Sequence, residues 1–156
     1  MSTVYVMCGL PGSGKSTWAK NKAKEANTVI VSPDAIRTML FGEYRYDEAY
    51  EPTVLQVSLF ALYCAVAAGE DVVFDEVSLS REERRAVFNT LAYYHKDGAV
   101  KVVCVNCRSS DNLANRMKDS RGYPKERWVE VIETMRQRYE APTVDEGFTE
   151  VLEVEV

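Results

Sequence analysis

Glycine and proline are scarce, with eight and five among 156 residues, which excludes collagen-like and low-complexity chains. No stretch approaches the run of roughly 18 apolar residues that a membrane span needs, so no membrane partner is expected. Met1–Leu10 lacks a basic stretch and leads into a glycine-rich loop. A secretory leader is therefore not expected, and the expected location is the cytoplasm. Histidine occurs once, and the four cysteines include a single C-x-x-C, Cys104 and Cys107, with no second pair. They stand in a β-branched run, where a three-residue offset turns side chains to opposite faces, so buried thiols are expected in place of zinc or disulfides. No excess of positive charge exists either. The net charge of −5 resides in Asp145, Glu146, Glu150, Glu153 and Glu155, and acids balance bases across Met1–Pro142. The bulk acidity thus carries no information about substrate. A chain of 156 residues, 46% apolar, fits one domain spanning 1–156.

What is present is an alternation. Strand-like runs fall at Thr3–Cys8, Thr28–Val31, Asp71–Phe74, Val100–Val105 and Glu150–Val156. Helical patterns lie between most of them, the first over Gly14–Ala26. Leu55, Leu59, Leu62 and Val66 form one apolar stripe, and Trp128, Ile132, Met135 and Tyr139 another. Ser80 with Glu83 has the spacing of a capping box, and Gly69 and Gly98 stand where helices should stop. Strands alternating with crossover helices predict a three-layer α/β domain on a parallel sheet.

Gly9-Leu-Pro-Gly-Ser-Gly-Lys15-Ser16 satisfies G-x-x-x-x-G-K-[ST] between a predicted strand and a predicted helix. Several backbone amides must enclose one phosphate, so glycines are needed where a Cβ would block the approach, and the helix start adds positive dipole. Gly9, Gly12, Ser13, Gly14, Lys15, Ser16 and Thr17 are the expected nucleotide-binding residues. Lys15 is expected to bridge the β- and γ-phosphates of ATP or another nucleoside triphosphate, and Ser16 to ligate Mg²⁺.

Phosphate binding does not fix the reaction. Asp34 follows the second strand in Ser32-Pro33-Asp34-Ala35-Ile36-Arg37, where Ser32 can cap a helix and Pro33 can open it. Strand C-termini of a parallel sheet open onto one crevice, which brings Asp34 opposite the phosphates. Arg37 lies on the same helical face, and a carboxylate beside a guanidinium suits an acceptor with a hydroxyl to deprotonate and an anion to hold. An ordinary first-turn ion pair is the plainer alternative. Asp75 and Glu76 end the third strand, where a carboxylate holds Mg²⁺ directly or through water. Adjacent acids there also fit an ATPase or nucleotide switch in which Glu76 activates water. Arg108–Arg127 is the only sizeable basic stretch, with Arg116 and Arg121 near its apolar-poor centre. It is expected to form a helical lid whose arginines meet the transferring phosphoryl group.

Gly-Leu-Pro-Gly-Ser-Gly-Lys-Ser-Thr-Trp-Ala (9–19), Ser-Pro-Asp-Ala-Ile-Arg (32–37), Val-Val-Phe-Asp (72–75), Leu-Ser-Arg-Glu-Glu-Arg-Arg (79–85) and Arg-x4-Arg (116–121) occur in that order. This arrangement resembles P-loop polynucleotide kinases of the phage and bacterial repair type, within the small P-loop kinase family. The resemblance implies a P-loop kinase fold with a five-stranded parallel sheet of order 2-3-1-4-5 and a helical lid. It implies transfer of the ATP γ-phosphate to the 5′-hydroxyl of DNA or RNA. Asp34 would be the general base, Arg37 would grip the acceptor's phosphate, and Arg116 and Arg121 would contact donor phosphates. The same motifs would serve a kinase of small-molecule hydroxyls. Two features depart from the resemblance. Asp75-Glu-Val-Ser78 lacks the Asp-x-Thr-Asn of many relatives, and Glu43–Glu51 is acidic, although its Tyr44, Tyr46 and Tyr50 could stack on bases or pack beneath a loop.

Overall fold

Five apolar runs become strands, and the three central ones lack alternating polar residues because both of their sheet faces are covered. In the computed structural model, which describes residues 1–156, the five are β1 (Ser2–Cys8), β2 (Thr28–Val31), β3 (Asp71–Phe74), β4 (Val100–Arg108) and β5 (Glu150–Glu155). All pair in parallel, in the order β2-β3-β1-β4-β5. This is the expected topology. The helices are α1 (Lys15–Ala23), α2 (Pro33–Phe41), α3 (Glu51–Ala67), α4 (Arg81–Thr90), α5 (Ala92–Lys96), α6 (Asn112–Met117) and α7 (Lys125–Arg138).

Alternate residues of the central strands feed two cores. Val4, Val6, Val72, Val102 and Cys104 face Val54, Leu62 and Val66 of α3 and Val87 of α4. On the other face Met7, Val73, Val105 and Cys107 gather with Ala19 of α1. Cys104 and Cys107 therefore lie in different layers, as their spacing requires, and all four cysteines are free thiols. Cys64, expected to be buried, is instead exposed on α3.

Several boundaries move, those of β1 and β5 by one residue each. Helix α1 starts at Lys15 and stops at Ala23, shorter than expected at both ends. β4 runs three residues past Val105 because Asn106, Cys107 and Arg108 pair with Glu153, Val154 and Glu155 of β5. The stripe of α3 is displaced: Val54, Ser58, Leu62 and Val66 are buried, whereas Leu55 is 43% exposed and Leu59 half-buried. Apolar residues surround this helix, so spacing alone does not choose its inner face. Ser58 can be hidden because its hydroxyl donates to the Val54 carbonyl at 2.7 Å. Within the continuous helical stretch Glu48–Ala67 an 18-residue window has a mean hydropathy of 1.2, enough by length and composition for a membrane span, contrary to expectation. Here one face of it packs on β2 and β3.

Candidate active site

At the end of β1 the chain turns through Gly9–Gly14 and enters α1 at Lys15. The loop is pinned from behind: the Gly9 amide donates to the Val77 carbonyl at 3.0 Å, and the Ser13 amide to Leu10 at 3.2 Å. Its glycines are required partly by the protein itself. Gly12 has φ of 77°, and a Cβ there would stand 2.1 Å from the Asn112 carbonyl oxygen; at Gly9 it would meet the Cys107 oxygen at 2.5 Å. Lys15 lies across the loop, its Nζ donating to Leu10 O at 2.8 Å and to Ser13 Oγ at 3.4 Å. Burial lowers its pKa, against the attraction of Asp75. Thr17 is exposed in the first turn of α1.

Ser16 Oγ donates to Asp75 Oδ2 at 3.0 Å, joining the helix start to the end of β3. Burial raises the Asp75 pKa, with Lys15 and the Ser16 hydrogen bond opposing. A hydroxyl and a carboxylate side by side are hard oxygen donors and fit Mg²⁺. Glu76 points elsewhere: its Oε1 accepts the Val77 amide at 2.8 Å, and burial raises its pKa.

Opposite the loop, Ser32 Oγ caps α2 by accepting the Ala35 amide at 3.3 Å, and Pro33 takes the first position. Asp34 is thereby held at the mouth of the crevice. Its Oδ1 accepts from Arg37 Nη1 at 2.6 Å, and its Oδ2 accepts from Arg121 Nη1. Arg37 is buried, and a further carboxylate claims it. Its Nε donates to Glu51 Oε2 at 3.0 Å and its Nη2 to Glu51 Oε1. Burial opposes the charge on Arg37, but Glu51 and Asp34 outweigh it and raise its pKa. A cavity of about 400 Å³ opens in front of Asp34, lined also by Ala35, Thr38, Tyr44, Asp119 and Arg121.

The basic segment does fold over this cleft, as α6 and the turn leading into α7. Arg121 has φ of 53°, and its guanidinium lies 4.6 Å from the Tyr44 ring centre. Its guanidinium meets Asp34. Arg116 sits 5.2 Å over the Trp128 ring, and its Nε is buried without a partner. Burial, then Arg121, lowers its pKa. The three tyrosines separate: Tyr44 is half-buried under Arg121, Tyr46 is 49% exposed beside Arg37, and Tyr50 packs edge-on against Phe41.

Sequence reasoning missed Glu51, Asn112 and Asn115. Asn112 Nδ2 donates to the Pro11 carbonyl at 3.2 Å and Asn115 Nδ2 to Gly12 at 3.1 Å, so α6 grips the phosphate loop. Their i, i+3 spacing on a polar helix was an available signal. Glu51 offered none, being fourteen residues from Arg37 with only the fold to join them.

Residues 4–142 match the model of a family described as an AAA domain. No curated protein matches the chain. Among solved structures the fold is similar to that of a sugar kinase from Janibacter sp. HTCC2649, at 22% identity, a TM-score of 0.66, and coverage of 99% of this chain and 85% of that one. It is similar to a fungal RNA kinase at 17% identity and a TM-score of 0.64, covering 97% and 74%. It is also similar to the APS kinase of Mycobacterium tuberculosis, in complex with AMPPNP and APS, at 19% identity and a TM-score of 0.65, covering 97% and 88%. At these identities the likeness establishes the P-loop kinase fold.

Proposed function

We propose, from the premise that this chain belongs to the AAA domain family and has the P-loop kinase fold, that it transfers the γ-phosphate of ATP or another nucleoside triphosphate to an acceptor hydroxyl. One observation carries the reading: Asp34 lines a cavity across from the phosphate loop, held from two sides by Arg37 and Arg121. The loop amides and Lys15 bind and orient the triphosphate. Mg²⁺ held by Ser16 and Asp75 would supply charge neutralisation of the phosphates. An acceptor hydroxyl in the cavity gives its proton to Asp34 as its oxygen bonds to the γ-phosphorus, and the bond to the bridging oxygen breaks to release the nucleoside diphosphate. Each Asp34 oxygen keeps a second lone pair for that proton while the arginines fix the carboxylate plane. Closure of the lid excludes water, and Arg116 and Arg121 are the cations available to the equatorial oxygens. Hydrolysis through Glu76 has less support, because that carboxylate is turned to the Val77 amide.

For the acceptor we favour the 5′-hydroxyl of DNA or RNA. The ordered motifs support it, as does Tyr46, an exposed ring 5.8 Å from the Arg37 guanidinium on which a base can stack. A small-molecule hydroxyl is the second reading, favoured by the engagement of Arg37 with Glu51, which occupies the guanidinium fork an acceptor phosphate would need. The test is transfer of labelled γ-phosphate to a 5′-hydroxyl oligonucleotide, beside sugars and a control lacking acceptor. Metal-dependent labelling of the oligonucleotide is expected, lost by about 10²-fold or more in Lys15→Ala. Labelling of sugars alone selects the second reading, and release of free phosphate alone removes both.

A further inference from the structure

The acceptor side of the cleft is a closed chain of charges: Glu51, Arg37, Asp34 and Arg121. Within it, Glu51 takes Nε and Nη2 of Arg37. That pair of parallel donors is one of the forks through which a guanidinium binds a carboxylate or a phosphate bidentately, so the two anions would compete for it.

The partners differ in their freedom to leave. The Arg37 side chain is only 11% exposed and is tied to Asp34 as well. The Glu51 side chain is 23% exposed and belongs to the first residue of α3. The 3-10 turn Glu48–Tyr50 leads into that helix and takes the Glu51 amide for the Glu48 carbonyl, so Arg37 is the side-chain partner of the Glu51 carboxylate and solvent its alternative. Water can therefore take over Glu51, while the more deeply buried guanidinium has less access to it.

We propose that Glu51 is a specificity-determining residue: an exchangeable counter-ion that fills the phosphate fork of Arg37 until an acceptor bearing a phosphate next to the attacked hydroxyl displaces it. This rests on the nucleic-acid reading above. An acceptor without that phosphate leaves the Arg37–Glu51 pair closed and gains nothing from Arg37. One with it gains a bidentate contact, less the cost of moving Glu51. Glu51 thus narrows the preference between the two kinds of acceptor.

The experiment compares kcat/KM for a nucleoside 3′-phosphate with that for the same nucleoside lacking the phosphate, in wild type, Glu51→Gln and Glu51→Asp. The ratio should rise about tenfold in Glu51→Gln, the KM for ATP moving less than twofold. Glu51→Asp keeps the charge but is one methylene shorter, so its carboxylate is drawn back from the two nitrogens. It should shift the ratio the same way by a smaller amount, and it covers misfolding of Glu51→Gln. A ratio that falls would make Glu51 a support that aims Arg37, and an unchanged ratio would make its role structural; either overturns the proposal while the nucleic-acid reading stands. If wild type labels neither acceptor nor an oligonucleotide, that reading fails and the proposal with it.

Discussion

Glu76 sits one residue past the acid that meets Ser16, and the two side chains have different environments. Burial raises the pKa of both carboxyls; Lys15 and the Ser16 hydroxyl oppose it at Asp75, and the Val77 amide and the charge of Arg37 oppose it less completely at Glu76. Its folded pKa being raised, Glu76 binds its proton more tightly in the folded chain than in the unfolded one. Stability from this group is therefore greatest at low pH and declines as pH rises above the ordinary value of 4.5 towards the folded value. Glu76→Gln keeps an acceptor for the Val77 amide and carries no charge to bury. It should melt at a higher temperature than wild type at pH 7.5, and the difference should shrink towards zero at pH 4. Thermal melts across that range decide it: a Glu76→Gln protein melting lower at pH 7.5 would show that the charge is held by a partner. The pair of acids was legible in the sequence, whereas their division of labour was not. Only the fold turns one towards α1 and the other to its own backbone.

Among the elements, α6 links phosphate loop and lid. Asp111 caps it by accepting the Ala114 amide at 3.1 Å, Asn112 and Asn115 tie it to Pro11 and Gly12, and the Trp128 indole donates to Ser120 O at 2.9 Å. The lid is thus anchored at both ends of its polar turn. Asn115→Ala removes the bond to Gly12 together with those to Ser109 and Lys118, and loss of the Gly12 bond should cost about 1 kcal/mol of loop preorganisation. Nucleotide binding should weaken about fivefold, with faster amide exchange over 112–117 and an unchanged melting temperature. Unaltered nucleotide affinity would mean the loop is ordered without α6. The strands were readable because β-branched runs bounded by turns admit few alternatives, and Ser32, Pro33 and Ser80 marked real helix starts. The reading of Ser80 with Glu83 was half right: Ser80 accepts the Glu83 amide, but Glu83 reaches Leu79 N, not its own cap. The inner face of α3 and the partner of Arg121 were not readable, since each is chosen by what another element presents.

At the scale of the whole molecule, one buried ion pair ties the third strand's exit to the approach to the fifth. Arg84 is fully buried on α4, with Nε 2.8 Å from Glu146 Oε1 and Nη2 3.1 Å from Oε2. Its Nη1 donates to the carbonyls of Ser78 at 3.0 Å and Leu79 at 2.9 Å, in the loop whose Val77 holds Gly9. The acidity of the last residues, uninformative about substrate, includes this structural carboxylate, and composition cannot separate it from its solvated neighbours. Glu146→Gln leaves a buried guanidinium uncompensated and should cost about 3–5 kcal/mol. Urea titration should show the midpoint falling with little change in slope; a loss below about 1 kcal/mol would mean the pair is replaceable by water. The central claim is phosphoryl transfer to a hydroxyl activated by Asp34. Its most direct test is γ-phosphate transfer by Asp34→Asn beside wild type, with nucleotide binding followed by titration. Transfer should fall by about 10²-fold or more with nucleotide affinity retained. Transfer within a few-fold of wild type would contradict the account.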